Sequence, residues 1–333
     1  MIFDDVLKII NGRNQKAVEN PNGKYPIYGS GGIMGRADDY ICNAETVVIG
    51  RKGNINKPIF VEEPFWNVDT AFGLEANKSV LLPKYLFYFC VHYDFEKHNK
   101  TVTIPSLTKA DLLKIKIDLP SLGEQQDIVK KLQQIETIIF KRKQELDILD
   151  ELIKARFVEM FGNEKNLMPI SDICSIITDG THQPPKFRDT GIPFIFVSNI
   201  TGDKVTYDAE KFIDQDTYDE LIKRTPIEIG DVLLSTVGSY GHPAVVKSNK
   251  KFLFQRHIAY LKPRREIIDS DYLHGAILSP DAQRQIEEGV KGIAQKTLNL
   301  SEIKKMRIPV PDMNKQKEFA TFSAQVDKSK SVA

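Results

Sequence analysis

The chain carries its own repeat. Residues 107–132, LTKADLLKIKIDLPSLGEQQDIVKKL, align without a gap on residues 298–323, LNLSEIKKMRIPVPDMNKQKEFATFS, at an offset of 191. Leu107 stands against Leu298, Asp111 against Glu302, Leu112 against Ile303, Pro120 against Pro311 and Gln125 against Gln316. Further upstream, ETVVIGRKGNINKPIFV from Glu45 resembles GDVLLSTVGSYGHPAVV from Gly230 at an offset of 185, with Gly53 on Gly238 and Pro58 on Pro243. YPIYGSGGI from Tyr25 parallels IPFIFVSNI from Ile192, and Ile2–Gly12 parallels Ile170–Gly180. A drifting offset is what loop insertions produce. Matched positions are mainly apolar, Gly or Pro, while the loops differ. One scaffold is therefore used twice to carry two different surfaces.

A length of 333 residues suits two domains, each able to bury a core. Hydrophobic residues at 41% and charged residues at 27% describe a folded, water-exposed chain rather than a disordered one. The net charge of +1 gives no whole-chain attraction to nucleic acid, so any such attraction must come from local patches. Cys42, Cys90 and Cys174 are far apart and form no CxxC pair. That suggests neither a disulfide framework nor a zinc ribbon, and a reduced, cytoplasmic setting is the simplest reading. The amino terminus, MIFDDVLKIING, has acids where a secretion signal needs bases, and no apolar run reaches membrane-spanning length, so no membrane role is expected.

Residues 45–61 and 230–247 read as paired strands broken by Gly-rich turns. Residues 84–95 and 270–289 read as helices, and 114–120 and 305–311 as short strands ending at Pro. The expected fold class is α+β: two β-rich mixed units in tandem, each followed by a long coiled-coil-forming helix. The expected divisions are 1–120, 121–162, 163–311 and 312–333.

Ser121 is a plausible N-cap for the first long helix, with Glu124 at capping-box spacing. Apolar residues then recur at Ile128, Leu132, Ile135, Ile139, Leu146, Leu149, Ile153 and Met160, with Arg142 and Arg156 at the skipped positions. This is a heptad seam. About 38 residues of helix, ended by Gly162, would span roughly 57 Å. The second copy begins at Asp312 and presents Phe319, Phe322 and Val326. The seam needs a partner. It is either the short helix packed antiparallel on the long one, or a helix of another subunit or copy. A surface helix of the chain's own domain is the third arrangement.

Catalytic motifs are missing. There is no P-loop, HExxH or GxSxG. GSGGIMG at 29–35 reads as a flexible surface loop. His92, His98, His182, His242, His257 and His274 have no metal-ligand spacing, so no metal site is expected. QPPK at 183–186 lacks both the Asn or Asp and the aromatic residue of the adenine-methyltransferase motif, and reads as a proline turn.

Polar loops fall at matched places instead. The first unit offers Arg51, Lys52, Asn54 and Lys57, then Asn67 in WNVDT, then Lys100 and Thr101. The second offers Ser198 and Asn199, Ser235, Thr236, Ser239, Tyr240 and His242, then Gln255 and Arg256, then Lys291, Gln295 and Lys296. Base edges need donors and acceptors of these kinds, and phosphates need Lys, Arg and hydroxyls.

The repeated Leu…Ile-x-[Ile/Val]-Pro…Gln segments, the GRKGN loop and WNVDTAF resemble the specificity subunit of Type I restriction–modification systems, over essentially the whole chain. The resemblance implies two target-recognition domains, each reading one half of a split double-stranded DNA site. It implies long helices that act as a ruler and dock methyltransferase subunits, two of them. S-adenosylmethionine and ATP would bind partners, a modification and a restriction subunit, and this chain would hold no cofactor. A helix of roughly 57 Å matches between one and two turns of B-DNA at about 34–36 Å each. Such relatives are expected to have two comparable helices, whereas the second here has no counterpart of 143–161. The competing reading is a coiled-coil adaptor with two β-rich protein-binding modules and no DNA role.

Overall fold

The computed structural model describes residues 1–99, 101, 103–292 and 296–332. The chain divides into two compact units, Met1–Phe140 and Lys141–Ala333. In the first, a one-turn helix α1 (Phe3–Val6) leads into β1 (Leu7–Asn11), β2 (Tyr25–Gly29), β3 (Gly32–Ala37), β4 (Thr46–Gly50), β5 (Ile59–Val61), β6 (Trp66–Asn67) and β7 (Ala71–Ala76). Helices α2 (Pro83–His92) and α3 (Lys109–Leu112) follow, and then the long α4 (Leu122–Phe161), within which the unit boundary falls.

The second unit runs β8 (Leu167–Pro169), α5 (Ile170–Ile173), β9 (Cys174–Asp179), β10 (Ile192–Ile195), β11 (Phe212–Ile213), α6 (Gln215–Leu221), β12 (Val232–Ser235), β13 (Pro243–Val245), β14 (Leu253–Phe254) and β15 (Ile258–Pro263). It ends with α7 (Ser270–Leu278), α8 (Pro280–Gly289), β16 (Val290–Lys291), β17 (Thr297–Leu298), α9 (Leu300–Lys305), β18 (Arg307–Pro309) and α10 (Met313–Val332).

The repeat is structural as well as sequential. The main sheets have the orders β1-β7-β4-β5 and β9-β15-β12-β13, and the smaller sheets β3-β2-β6 and β11-β10-β14. In both smaller sheets the last pair is parallel, and its register agrees: Ile27 lies on Trp66, and Phe194 on Leu253. Each core lies beside its main sheet. In the first unit it joins Val47, Ile49, Phe72 and Leu74 to Leu86 and Cys90 of α2. In the second it joins Val232, Leu234 and Leu261 to Leu273 and Ile277 of α7. The α+β reading therefore holds.

Three local expectations change. The matching of Ile2–Gly12 with Ile170–Gly180 is not gapless. Pro263 pairs with Cys174 and Lys262 with Ile176, which leaves Ser175 as an extra bulged residue. With that residue set aside, Phe3 N–H donates to Ile115 O (2.9 Å) just as Ile170 N–H donates to Met306 O (2.9 Å). Residues 270–289 form two helices, because Pro280 opens α8 and Ser279 Oγ accepts from Ala282 N–H at 3.3 Å. The GSGGIMG segment is the β2–β3 hairpin rather than a flexible loop, and Gly32 supplies the positive φ of 116° that the turn requires.

The matched glutamines are buried staples. Gln125 Oε1 accepts from Leu82 N–H (2.9 Å), and its Nε2 donates to Val80 O and Pro120 O (2.9 Å each). Gln316 repeats this with Asp269 N–H (2.8 Å), Ile267 O (3.0 Å) and Pro311 O (2.8 Å). Each amide ties the start of a long helix to the start of the preceding core helix. Gln316→Met keeps the volume but strands those backbone groups, so it is expected to cost about 2–3 kcal/mol. Urea unfolding and hydrogen exchange at the Asp269 amide check this; an unchanged midpoint would remove the staple's role.

Helix α4 contains 40 residues and begins with the expected capping box, Ser121 N–H donating to Glu124 Oε2 at 2.9 Å. At about 1.5 Å per residue it is about 60 Å long. In the second unit α10 lies antiparallel on it: Arg156 pairs with Glu318 (3.4 Å), and Asp150 with Lys330 near the other end (2.5 Å). This is the intramolecular arrangement among those left open by the sequence. Its contact differs from a pure heptad seam. Ile153, Phe319 and Val326 are buried and Leu146 and Leu149 half-buried, but the stripe continues through Phe157 and Phe161 in steps of four. Those rings meet Phe319 and Tyr272 edge-on or tilted, at centroid distances of 5.1–5.9 Å. In the first unit Leu132 is half-buried, and Ile128, Ile135 and Ile139 are exposed. That part of the expected seam has no cover within its own unit.

Candidate nucleic-acid interface

At one end of each main sheet the polar loops converge, held by equivalent backbone bonds. In the first unit Arg51 N–H donates to Thr70 O (2.8 Å), Leu107 N–H to Arg51 O (2.9 Å) and Gly53 N–H to Pro105 O (3.0 Å). Lys52 bridges to Ser106. In the second, Thr236 N–H donates to His257 O (3.0 Å), Leu298 N–H donates to Thr236 O (2.8 Å), and Val237 bridges to Thr297. Gly53 and Gly238 both take positive φ, 81° and 74°, which permits the tight loop. The strand before the site also ends alike. A Cβ on Gly12 would lie 1.7 Å from Val68 O, and one on Gly180 would lie 2.3 Å from Phe254 O. Only glycine lets these backbones approach so closely.

Arg51, Lys52, Asn54 and Lys57 are exposed on the first loop, with the Arg51 guanidinium 5.8 Å from the Phe72 ring centroid. Thr101 is exposed and donates to Asn99 Oδ1 at 3.0 Å. In the second unit Ser198, Ser239, Arg256, Lys291 and Lys296 are exposed, and Gln255 and Tyr240 are half-buried. Tyr240 donates to Glu287 (2.8 Å) with Lys296 5.9 Å from its ring centroid. His242 instead lines a cavity of about 460 Å³ with Lys204 and His274. Lys100 and Gln295 lie outside the described residues.

Four expected contact residues are buried, three of them with side chains spent on backbone groups. Asn67 is fully buried and donates to Ala71 O (3.1 Å). Ser235 is fully buried, its Oγ accepting from His242 N–H (2.9 Å), and Thr236 is buried beside it. Asn199 is buried, accepting from Phe196 N–H (2.9 Å) and donating to Asp208 O (3.1 Å). Short polar side chains in loops satisfy backbone groups that the turn leaves unpaired. The sequence alone does not separate that use from an outward one.

The structure also brings up Asp179, Lys223 and Arg224, which sequence reasoning passed over. In the second unit a cleft of about 430 Å³ is lined by Asp179, Thr236, Arg256 and His257. A neighbouring one of about 510 Å³ is lined by Gly180–Lys186, Lys223 and Arg224. Burial, then the adjacent Arg256, hold the His257 imidazole below its ordinary pKa. It is therefore uncharged at neutral pH, and Arg256 Nε donates to its Nε2 at 3.3 Å. Arg224 reaches Asp179 from 45 residues away. The only local signal was the DGTH turn directly after a strand. Among the described residues no cluster of His, Cys, Asp or Glu could hold a metal, and no helix is long and apolar enough to cross a membrane. The three cysteines are buried and unpaired.

Known proteins share this architecture. The chain is similar to the Type I restriction enzyme EcoBI specificity subunit of Escherichia coli, 24% identical over 317 residues, covering 85% of this chain and 66% of that protein. It is similar to the MjaVIII specificity subunit of Methanocaldococcus jannaschii, 20% identical over 317 residues, covering 86% of this chain and 70% of that one. The chain thus spans about two thirds of the length of these relatives. The solved Type I system S subunit from M. genitalium shares the fold, with a TM-score of 0.56 at 15% identity, over 99% of this chain and 89% of that one. So does a chain from a structural study of complex assembly in the type I R-M system, with a TM-score of 0.57 at 16% identity, over 100% and 90%. The model of the Type I restriction modification DNA specificity domain matches twice, at residues 3–148 and 163–331. With one such match on each copy of the repeated frame, the chain belongs to the Type I restriction–modification specificity subunits and carries two recognition domains.

Proposed function

We propose that this chain reads DNA sequence for a Type I restriction–modification complex and does no chemistry itself. Each recognition unit reads one half of a bipartite double-stranded site through the loop edge described above. In the first unit the exposed residues Arg51, Lys52, Asn54, Lys57 and Thr101 make the contacts. In the second, Arg256 and Gln255 do so with the flanking Ser198, Ser239, Lys291 and Lys296. Long helices set the spacing, and two methyltransferase subunits dock on them. S-adenosylmethionine and ATP are bound by the modification and restriction subunits. The complex works in the cytoplasm.

One observation carries this reading: two copies of one backbone frame differ where the loops converge. Lys52 and Asn54 of one copy are replaced by Val237 and Ser239 of the other in the same loop frame. Two readers of unlike half-sites need that arrangement. An adaptor explains the helices but not the basic GRKGN loop.

The test is methylation of plasmid DNA by the purified chain, by methyltransferase subunits, and by both together. Only the mixture is expected to methylate, at a split sequence. Its DNA affinity should fall steeply with salt, because each neutralised phosphate releases counterions. Methyl transfer by the isolated chain, or salt-independent binding, overturns the proposal.

A further inference from the structure

Asp179, the last residue of β9, holds two side chains at once. Its Oδ1 pairs with Arg224 Nη2, and its Oδ2 lies 2.8 Å from His182 Nε2. Arg224 Nη2 also donates to Thr178 Oγ1 at 3.3 Å. The acid is largely covered, with 18% of its side chain exposed, while Arg224 and His182 are about half exposed at 50% and 53%. The two side chains open onto the cleft of about 510 Å³.

Both attachment points are rigid. A Cβ on Gly180 would lie 2.3 Å from Phe254 O and 2.4 Å from Gln255 O, Thr181 N–H donates to Phe254 O (2.9 Å), and Arg256 N–H donates to Thr181 O (3.1 Å). On the other side Arg224 N–H donates to Leu221 O (3.2 Å), and the next residue, Thr225, is buried. A carboxylate on a DNA-facing edge repels phosphate, so attraction to the backbone is a poor account of it. A surface ion pair alone contributes little stability. What the arrangement supplies is direction. One end of the guanidinium is anchored and its remaining donors are left for an outside acceptor. With Nε2 turned to Asp179, the His182 ring keeps Nδ1 for an outside partner. With Nη2 spent on Asp179 and Thr178, Arg224 offers Nη1 and His182 offers Nδ1, two points held by one acid that can together meet a purine edge in the major groove.

We infer that Asp179 is the positioning residue of a base-reading fork in which Arg224 and His182 read the purine edge of one base pair. The inference rests on the DNA-reading function proposed above. It places specificity on residues that lie outside the repeated loops.

The test uses the full chain assembled with its methyltransferase subunits, and the readout is the set of adenines methylated in a random-sequence plasmid library. Arg224→Lys keeps the charge but loses the fork. It is expected to relax one base pair in one half-site by about 5- to 150-fold, with other positions unchanged. Asp179→Asn should relax the same base pair, although residue 179 is not the reader. Arg224→Lys changes a half-exposed side chain, so it remains informative if Asp179→Asn fails to fold. An unchanged site preference in Arg224→Lys overturns the inference. So does a uniform drop in methylation at every sequence, which would mark a phosphate contact. Sequence-independent methylation by the unmodified complex would instead overturn the DNA-reading function itself, and the fork with it.

Discussion

Exchange of residues 2–117 for the matching segment of another specificity subunit should change one half of the methylated sequence and leave the other half intact. The expected effect is large. Preference for the original half-site should fall to the non-specific level, a loss on the order of 10³-fold or more. The physical ground is that the first unit closes on itself. Met1 O accepts from Ile117 N–H (2.9 Å), Ile2 bridges to Lys116, and the core between them lies within the unit. A transplanted unit therefore brings its own frame and must remake at its boundary chiefly the Gln125 staple to Leu82 N–H and Val80 O, a contact both copies of the repeat already make. Sequencing of methylated adenines checks the result. A change in both half-sites would mean that the units do not read independently.

The largest effect on stability should come from Phe319→Ala. Phe319 is fully buried in α10, its ring 5.2 Å from that of Phe157 and 5.9 Å from that of Phe161. Gly275 of α7 makes room for it: a Cβ there would lie 2.4 Å from Phe319 Cε1. Truncation empties a close-packed site walled by three helices, so the cost is about 3–5 kcal/mol. Gly275→Val fails from the opposite direction by driving a side chain into the ring. Urea denaturation of the full chain, followed by hydrogen exchange in Lys141–Ala333, reads the loss. The first unit should keep its exchange protection. A loss under 1 kcal/mol would show that α10 is not part of the second core.

The frame was open to sequence reading because its constraints are local and written twice. The Pro-Ser-x-x-Glu start of α4 does in space what its spacing implies, and the matched glycines and glutamines hold equivalent positions in both units. The seam was read in part. Period alone marks Ile128 and Ile153 equally, yet only Ile153 meets a partner inside its unit. The aromatic stack of Phe157 and Phe161 was missed because its step of four competes with the heptad. The site was less legible still. Asn67 and Ser235 have the chemistry of base readers, but unpaired backbone groups claim them first. Arg224 has no sequence signal, because only the fold brings it to Asp179.

The bonds that close each unit have a mechanical consequence. In the second unit β8 follows α4 and β18 precedes α10, and the end nearest both helices is closed by Leu167 on Pro309 and, outside it, by the Asn166–Val310 pair, Val310 N–H donating to Asn166 O at 2.8 Å and Asn166 Nδ2 to Val310 O at 2.7 Å. Tension that has parted α10 from α4 therefore meets that pair next and peels the clasp open toward Pro169 and Arg307. β9, with Asp179 at its far end, lies behind this clasp and takes up load only after it has opened. A complex pulled along its helices would strain its fastener before distorting its reading edge.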